Sequence, residues 1–244
     1  MADARLATDS RVADLVKAGK VRVALYLPQY TKDLVTGELR GWCVDLVRAV
    51  GERLGIVGVA VEHPTPLAAI ASLKAGACNI AIMGIDPARA GEVDYSPPFA
   101  QLDFTYLVPS GSSIQSLADA DRPGVRIAVV RGHVSTLALT RILRQAIPVY
   151  AETWDVAFDL VRTGQTEAFA SVRAELLKFA PQMLGSRLLE VSYGANQLAM
   201  AVAKGHAAGR LDYMTEFVEE AKASGLVQRA IDRSGLSGTR AIRS

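Results

Sequence analysis

Two spacings of hydrophobic residues alternate along this chain. Val21-Arg-Val-Ala-Leu-Tyr26 is β-branched and alternating, which predicts a strand. Before it, Ser10 is placed to cap a short helix over 11–18 that Gly19 ends. Residues 27–40 carry Pro28, Asp33, Thr36 and Gly37 and predict a loop with a turn. In Trp42–Leu54 the residues Val44, Leu46, Val47, Val50 and Leu54 fall at mixed three- and four-residue steps, the apolar stripe of an amphipathic helix. The unbroken apolar run at 56–61 predicts a buried strand. Pro66–Lys74 predicts a helix, with Pro66 in its first turn and Gly76 beyond its end. Residues 79–83 predict another short strand. Strand, helix, strand, helix, strand is the order of a parallel sheet with helical crossovers.

The order then restarts. Residues 111–124 are rich in Ser, Asp, Gly and Pro and mark a connection. Strands are predicted at 125–130, 149–150 and 166–170, and helices at 134–146, 154–163 and Arg173–Phe179. After Tyr193-Gly-Ala-Asn196 come an apolar strand at 197–203 and helices over Ala208–Ala223 and Leu226–Ser234, with Gly225 between them. A lone strand with two helices must dock on an existing core. The chain therefore reads as an α/β protein of two βαβ lobes: residues 1–108 plus 196–244 form a discontinuous lobe one, and 109–195 form lobe two. Two strands are expected to cross between the lobes as a hinge, with a cleft for a small ligand.

Composition fits a folded globular chain: 244 residues, half of them hydrophobic and about a fifth charged. Net charge is +2, with 27 basic and 25 acidic side chains interspersed. No block of like charges suggests a nucleic-acid groove or a polybasic membrane patch. Cys43 and Cys78 form neither a CxxC pair nor a zinc-ligand series, and read as buried free thiols. His63, His133 and His206 stand far apart with no partner at metal spacing, so no metal and no cofactor are expected. No segment reaches the ~18 uninterrupted apolar residues of a membrane span. The first ten residues lack the basic, apolar, small-residue pattern of an export signal. The chain is then either cytoplasmic or exported with its signal removed. Ser-His-Asp, P-loop and GxGxxG arrangements are not found, which disfavours hydrolase, nucleotide and dinucleotide chemistry.

Four segments carry a resemblance in their order and spacing. Gly37-Glu-Leu-Arg-Gly-Trp-Cys-Val-Asp-Leu46 is similar to a G-x-x-x-G-F-D-x-D-L helix entry, and Leu73-Lys-Ala-Gly-Ala-Cys-Asn-Ile-Ala-Ile82 to an L-x-x-G-x-x-D strand entry. Gly84-Ile-Asp-Pro-Ala-Arg89 followed by Val93-Asp-Tyr-Ser-Pro-Pro-Phe99 is similar to T-x-x-R…v-d-F-S-x-P-Y. Gly164-Gln-Thr-Glu-Ala168 is similar to a G-x-x-D-A strand entry. Together they resemble the periplasmic solute-binding proteins of family 3, which have the type II periplasmic-binding fold and serve as amino-acid receptors of ABC importers. The resemblance implies a non-catalytic, periplasmic, monomeric receptor. Its lobes would close on a small organic acid or amino-acid-like ligand and dock on a membrane ABC permease, with no nucleic acid as partner.

The resemblance also implies site residues. Arg89 would pair with the ligand's carboxylate, because a planar guanidinium matches that group bidentately. Tyr30 and Tyr26 would cover the solute with aromatic faces, and Met83 and Gly84 close the strand before Arg89. In lobe two, Gly132-His-Val-Ser-Thr136 stands where the family has a G-[TS]-[TS] turn. His133, Val134 and Ser135 would then offer backbone N–H groups at a helix start.

Three departures stand beside these matches. Val172 occupies the place of the family's ammonium-pairing Asp, Leu27 that of an acidic loop residue, and Gly84 that of a hydroxyl. An apolar side chain cannot pair with an ammonium. The expected solute is therefore a carboxylate without a free α-amino group, or an amino acid in a changed pose. An enzyme on the same fold is the alternative. The cyclohexadienyl (prephenate/arogenate) dehydratases use a lobe-two carboxylic acid as general acid, and Glu175 falls about there. Glu175 reads as solvated helix surface, however, and Arg131-Gly-His-Val-Ser135 lacks those enzymes' Gly- and Asn-rich segment. A sensor lobe regulating a membrane partner is a third reading.

Overall fold

The computed structural model of the chain describes residues 9–26, 29–205, 208–235 and 238–242. Leu27 and His206 lie outside the described residues. The chain divides into two compact units. Unit 1 holds the described residues within Met1–Ala100, Gln197–Gly235 and Arg240–Ser244, and unit 2 those within Gln101–Asn196 and Leu236–Thr239.

Unit 1 opens with α1 (Ala13–Ala18), ended by Gly19 in a left-handed conformation. Ser10 does not cap it: the N-cap is Val12 without a side-chain bond, and the Asp9 carboxylate takes the Arg11 N–H at 3.0 Å. β1 (Lys20–Leu25) leads into residues 27–40, where a hairpin of β2 (Thr31–Lys32) and β3 (Leu39–Arg40) stands in place of a plain loop. α2 (Trp42–Leu54) buries Trp42, Leu46, Val47, Val50 and Leu54, as the stripe requires. β4 (Val57–Glu62) follows, then α3 (Pro66–Lys74), whose N-cap Thr65 takes the Ala68 N–H. β5 (Ile80–Gly84) is buried throughout.

The sheet of this unit runs β4-β1-β5 with parallel pairing. β6 (Val93–Tyr95) and the unit 1 part of β12 (Gly194–Ala203) add antiparallel pairs: β12 lies on β5, and β6 on β12. The expectation of a buried strand at 56–61 is corrected. β4 is the last strand in this order and is exposed or half-exposed along its length. α2 reaches it by backbone contact: a Cβ at Gly51 would lie 2.3 Å from Gly58 N, and one at Gly58 2.2 Å from Val47 O. α8 (Ala208–Ala223) and α9 (Leu226–Ser234) complete the unit, and α9 packs on α2. Cys43 and Cys78 are free and buried here.

Within unit 2 the strands run in the order β7-β10-β8-β9. β7 (Ala100–Val108), all but its first residue in this unit, runs antiparallel to β10 (Ala168–Val172). β8 (Arg126–Val130) is parallel to β10 and to β9 (Ile147–Ala151). α5 (Val134–Ile142) and α6 (Trp154–Arg162) supply the crossovers that parallel strands need. α4 (Leu117–Ala120) lies in the 111–124 connection under a Ser116/Asp119 capping box. α7 (Arg173–Phe179) follows β10, and the short β11 (Arg187–Leu188) pairs with β7. α5 stops at Ile142, short of 146. The Asp121 carboxylate captures the N–H groups of Arg144, Gln145 and Ala146 at 2.8–2.9 Å and turns the chain into β9. One further strand, β13 (Thr239–Ala241), lies in the tail.

Candidate functional site

In open α/β sheets ligands bind beyond the carboxyl ends of the parallel strands. The expected site residues stand at those ends in each unit. In unit 1, Tyr26 directly follows β1, Gly84 ends β5, and Arg89 sits in a 3-10 turn over Pro87–Arg89. Asp86 caps that turn by taking the Ala88 N–H at 3.0 Å. The Arg89 Nε lies 3.5 Å from Asp86 Oδ2, and the Arg89 side chain is 23% exposed.

The Tyr26 hydroxyl accepts the Gly84 N–H at 3.2 Å. Burial pushes the Tyr26 phenol up from its ordinary pKa, with the Gly84 N–H and the Arg89 charge opposing. Tyr95, at the end of β6, keeps a covered hydroxyl with no hydrogen bond formed. Its phenol is also raised by burial, against the nearby Asp86 N–H and Arg89. One guanidinium thus stands among two phenols.

Gln29 explains why the segment after β1 takes this path. Its buried side chain accepts the Tyr26 N–H at 3.1 Å and donates to the Ile82 carbonyl at 2.8 Å, tying the loop to β5. Tyr30 is buried, and its hydroxyl donates to Glu62 Oε2 at 3.4 Å. Burial first, and then the Glu62 charge, raise its pKa. Met83 is fully buried among Ala24, Ile70 and Leu73, so its side chain is core.

In unit 2, His133 is the N-cap of α5, at the end of β8. Its Nδ1 accepts the Ser135 N–H at 3.3 Å and lies 2.6 Å from Ser135 Oγ. An Nδ1 that accepts a backbone N–H leaves the ring proton on Nε2. Burial lowers the His133 pKa from 6.5 to about 4, so the ring is neutral at pH 7. Ser135 is buried, and Val134 packs on a core that includes Phe104, Tyr106, Val172 and Tyr193. Val172 ends β10 as part of that core.

Sequence reasoning missed Trp154. It opens α6 just past β9, sets its ring in edge contact with His133 at 5.3 Å between centroids, and donates its indole N–H to the buried Ser171 Oγ at 3.3 Å. The signal available was positional: a Trp directly after a strand and its Thr153 helix cap. Glu175 is corrected from solvated to buried, with its carboxylate 2.8 Å from Lys178 Nζ. Among the described residues no group of three or more His, Cys, Asp or Glu is placed to hold a metal ion, and no helix is long and apolar enough to cross a membrane.

Comparison with known proteins adds relatives to this geometry. The model of the bacterial extracellular solute-binding proteins, family 3, matches residues 21–235. The glutamine-binding protein GlnH of an ABC transporter of Bacillus subtilis (strain 168) is 25% identical over 183 residues, which are 72% of this chain and 66% of that protein. An ancestral cationic amino acid solute-binding protein, AncCDT-1, superposes with a TM-score of 0.74 at 26% identity, over 92% of this chain and 99% of its own. A second structure of it is described as the amino acid-binding precursor of cyclohexadienyl dehydratase. A binding component of an ABC transporter from Wolinella succinogenes shares the fold at a TM-score of 0.74 and 24% identity, over 88% of this chain and 95% of that one. The fold is that of the type II periplasmic-binding proteins.

Proposed function

Since the chain belongs to the bacterial extracellular solute-binding proteins, family 3, we propose that it is a non-catalytic receptor delivering a small carboxylate or amino-acid-like solute to the membrane permease of an ABC importer, and that Arg89 holds the carboxylate. The observation that carries the solute class is the place of Arg89. It stands at the carboxyl end of the unit 1 sheet beside two phenols, and its acidic neighbour Asp86 is at 3.5 Å. A fork of N–H donors at a strand end suits a carboxylate. The names of the two relatives at 25% and 26% identity, a glutamine-binding and a cationic amino acid-binding protein, support an amino-acid-like solute. The place of action is outside the cytoplasmic membrane, as the family's description suggests, and the working form is a monomer.

The enzyme alternative has less support. Glu175, its candidate acid, is engaged by Lys178, and AncCDT-1 is itself described as a binding protein. A thermal-shift screen of L-amino acids and organic acids tests the reading. At a hundredfold excess over Kd a bound solute adds about 2.7 kcal/mol of stability, an upward shift of about 5–10 °C for a chain of this size. A screen without any shift, together with prephenate turnover lost in Glu175→Gln, would establish the enzyme instead.

A further inference from the structure

The ion pair of Arg89 with Asp86 is held open. The two residues are three apart, a spacing that puts their side chains on one face of a turn and favours a closed pair. Asp159 and Arg162 have the same Asp-x-x-Arg spacing and close to 2.7 Å. Asp86 and Arg89 are less exposed than that pair, yet their nearest approach is 3.5 Å. A charge-assisted N–H···O bond forms at about 2.7–2.9 Å. Asp119 and Arg122, at 3.6 Å, show how such a pair stays open: Ser113 takes an Arg122 N–H, and the Ser116 hydroxyl donates to the Asp119 carboxylate.

The group that contends with Asp86 for Arg89 is Tyr26. Its hydroxyl takes the Gly84 N–H at 3.2 Å, and the Arg89 guanidinium acts on the same oxygen as a hydrogen-bond donor and as a charge. The tyrosine is fixed at its other end too. Gln29, 4% exposed, accepts the Tyr26 N–H at 3.1 Å and donates to the Ile82 carbonyl at 2.8 Å. Tyr26 is thus tied to the last residues of β5 through both its backbone and its hydroxyl. The other carboxylates of this stretch are paired elsewhere: Glu92 lies 3.0 Å from Lys74, and Asp94 3.0 Å from Lys204. All of these groups belong to unit 1.

We propose that Tyr26 is a positioning residue: its hydroxyl, anchored on β5, holds the Arg89 guanidinium off Asp86 and keeps the fork of donors ready for an incoming carboxylate. This rests on the carboxylate role given to Arg89 and deepens it. Asp86 is the chain's own competitor for the arginine. A carboxylate three residues away has a far higher effective concentration than a dissolved one. An arginine closed on Asp86 would have to give up that bond before taking a solute. A neutral phenol oxygen is an acceptor that steers the guanidinium without neutralising its charge.

The test has two arms, both on the full chain. The first needs no solute. The Arg89 Nε–H resonance, identified by its loss in Arg89→Lys, is followed by NMR in the native protein and in Tyr26→Phe. The expected result in Tyr26→Phe is a downfield shift with slower hydrogen exchange, as the pair closes on Asp86. Both return towards native values when Asp86→Asn is added. Asn keeps an oxygen for the Ala88 N–H but carries no charge. The second arm titrates acetate, L-glutamine and L-arginine by calorimetry, the last two chosen from the names of the relatives. Tyr26→Phe is expected to weaken whichever of them the native protein binds by about tenfold, the scale of one hydrogen bond. Asp86→Asn in the same chain is expected to restore affinity to within about threefold of native on the same scale. The melting temperature of empty Tyr26→Phe is expected to fall by at most about 4 °C, through the lost Gly84 bond.

Weakened binding in Tyr26→Phe that Asp86→Asn does not restore overturns the inference, because a merely structural defect does not respond to the charge on Asp86. So does an Arg89 resonance that stays in place in Tyr26→Phe, or binding there at the native affinity. In each of these cases Arg89-dependent binding of a probe leaves the receptor reading intact. If none of the three probes binds the native protein while the resonance moves as expected, the positioning stands and the carboxylate role of Arg89 is what fails.

Discussion

Replacing Arg89 by Ala separates binding from folding, because in the empty protein that side chain meets neutral phenols, Tyr26 and Tyr95, and one long ion-pair contact. Its ion-pair neighbour is Asp86 at 3.5 Å, and the two side chains are 23% and 27% exposed. Pairs of this kind contribute about 0–1 kcal/mol. Asp86 keeps its own bond to the Ala88 N–H without the arginine, so the turn retains its cap. For a chain of this size 1 kcal/mol moves the melting point by about 2–4 °C, which bounds the expected loss in the empty protein. The effect on a carboxylate solute is far larger. Each hydrogen bond to a charged group contributes about 1.5–3 kcal/mol, so a two-bond fork loses at least about a hundredfold in affinity. Arg89→Lys keeps the charge and loses the fork, and belongs between the two.

The assay is calorimetric titration of whichever acids register in a thermal screen, with scanning calorimetry of the empty variants. Affinity within threefold of the native value in Arg89→Ala would refute the role given to this residue. A fall of ten degrees in the empty protein would show instead that Arg89 is structural.

Three further outcomes follow from the coordinates. Gly51→Ala is expected to cost upwards of about 3 kcal/mol in denaturant unfolding, because the added Cβ meets backbone atoms of Gly58 and Ile56 at 2.3–2.8 Å, whereas Gly91→Ala, with nothing within 4 Å, is expected to be neutral. Asp121→Ala strands three backbone N–H groups at 144–146 and is expected to cost about 2–4 kcal/mol by the same measurement; an unchanged midpoint would mean that water replaces the carboxylate. The His133 ring, whose folded pKa lies near 4 against an ordinary 6.5, makes stability fall as the pH is lowered. The unfolded chain takes up the proton first, so this contribution is complete above about pH 6.5, is lost progressively down to about pH 4, and amounts to at most about 3 kcal/mol. Urea midpoints at pH 7.5 and 4.5, compared between native protein and His133→Asn, isolate it from the carboxylates; equal pH slopes in the two would contradict it.

Much of the fold was legible from spacing and punctuation. Trp42–Leu54, Pro66–Lys74, Arg173–Phe179, Ala208–Ala223 and Leu226–Ser234 form the helices that their residues predict. Stripes at 3.6-residue period bounded by Gly, Pro or Thr carry their own start and stop signals. The run at 56–61 was misread as buried because an apolar strand looks the same at a sheet's edge as at its centre, and strand order is a long-range property. Ser10 failed as a cap because the helix starts later, with Val12 as its N-cap, and the Val12 N–H goes to the Asp9 carbonyl. Of the site, the place of Arg89 at a strand end was readable from its motif. The engagement of Tyr30 by Glu62, the inward turn of Met83, the burial of Glu175 against Lys178 and the meeting of His133 with Trp154 were not.

Local order along the chain was therefore enough to determine two α/β series, their helices, and a guanidinium waiting past a strand. Which side chains turn inward, which charges find a mate and which aromatic rings touch depend on residues tens of positions apart. His133 and Trp154 come from different crossovers, and Tyr30 and Glu62 from the two sides of a helix. Only closing the sheets brings such pairs within reach, because a sequence pattern encodes a residue's period along its own element and carries no record of its neighbours across the sheet.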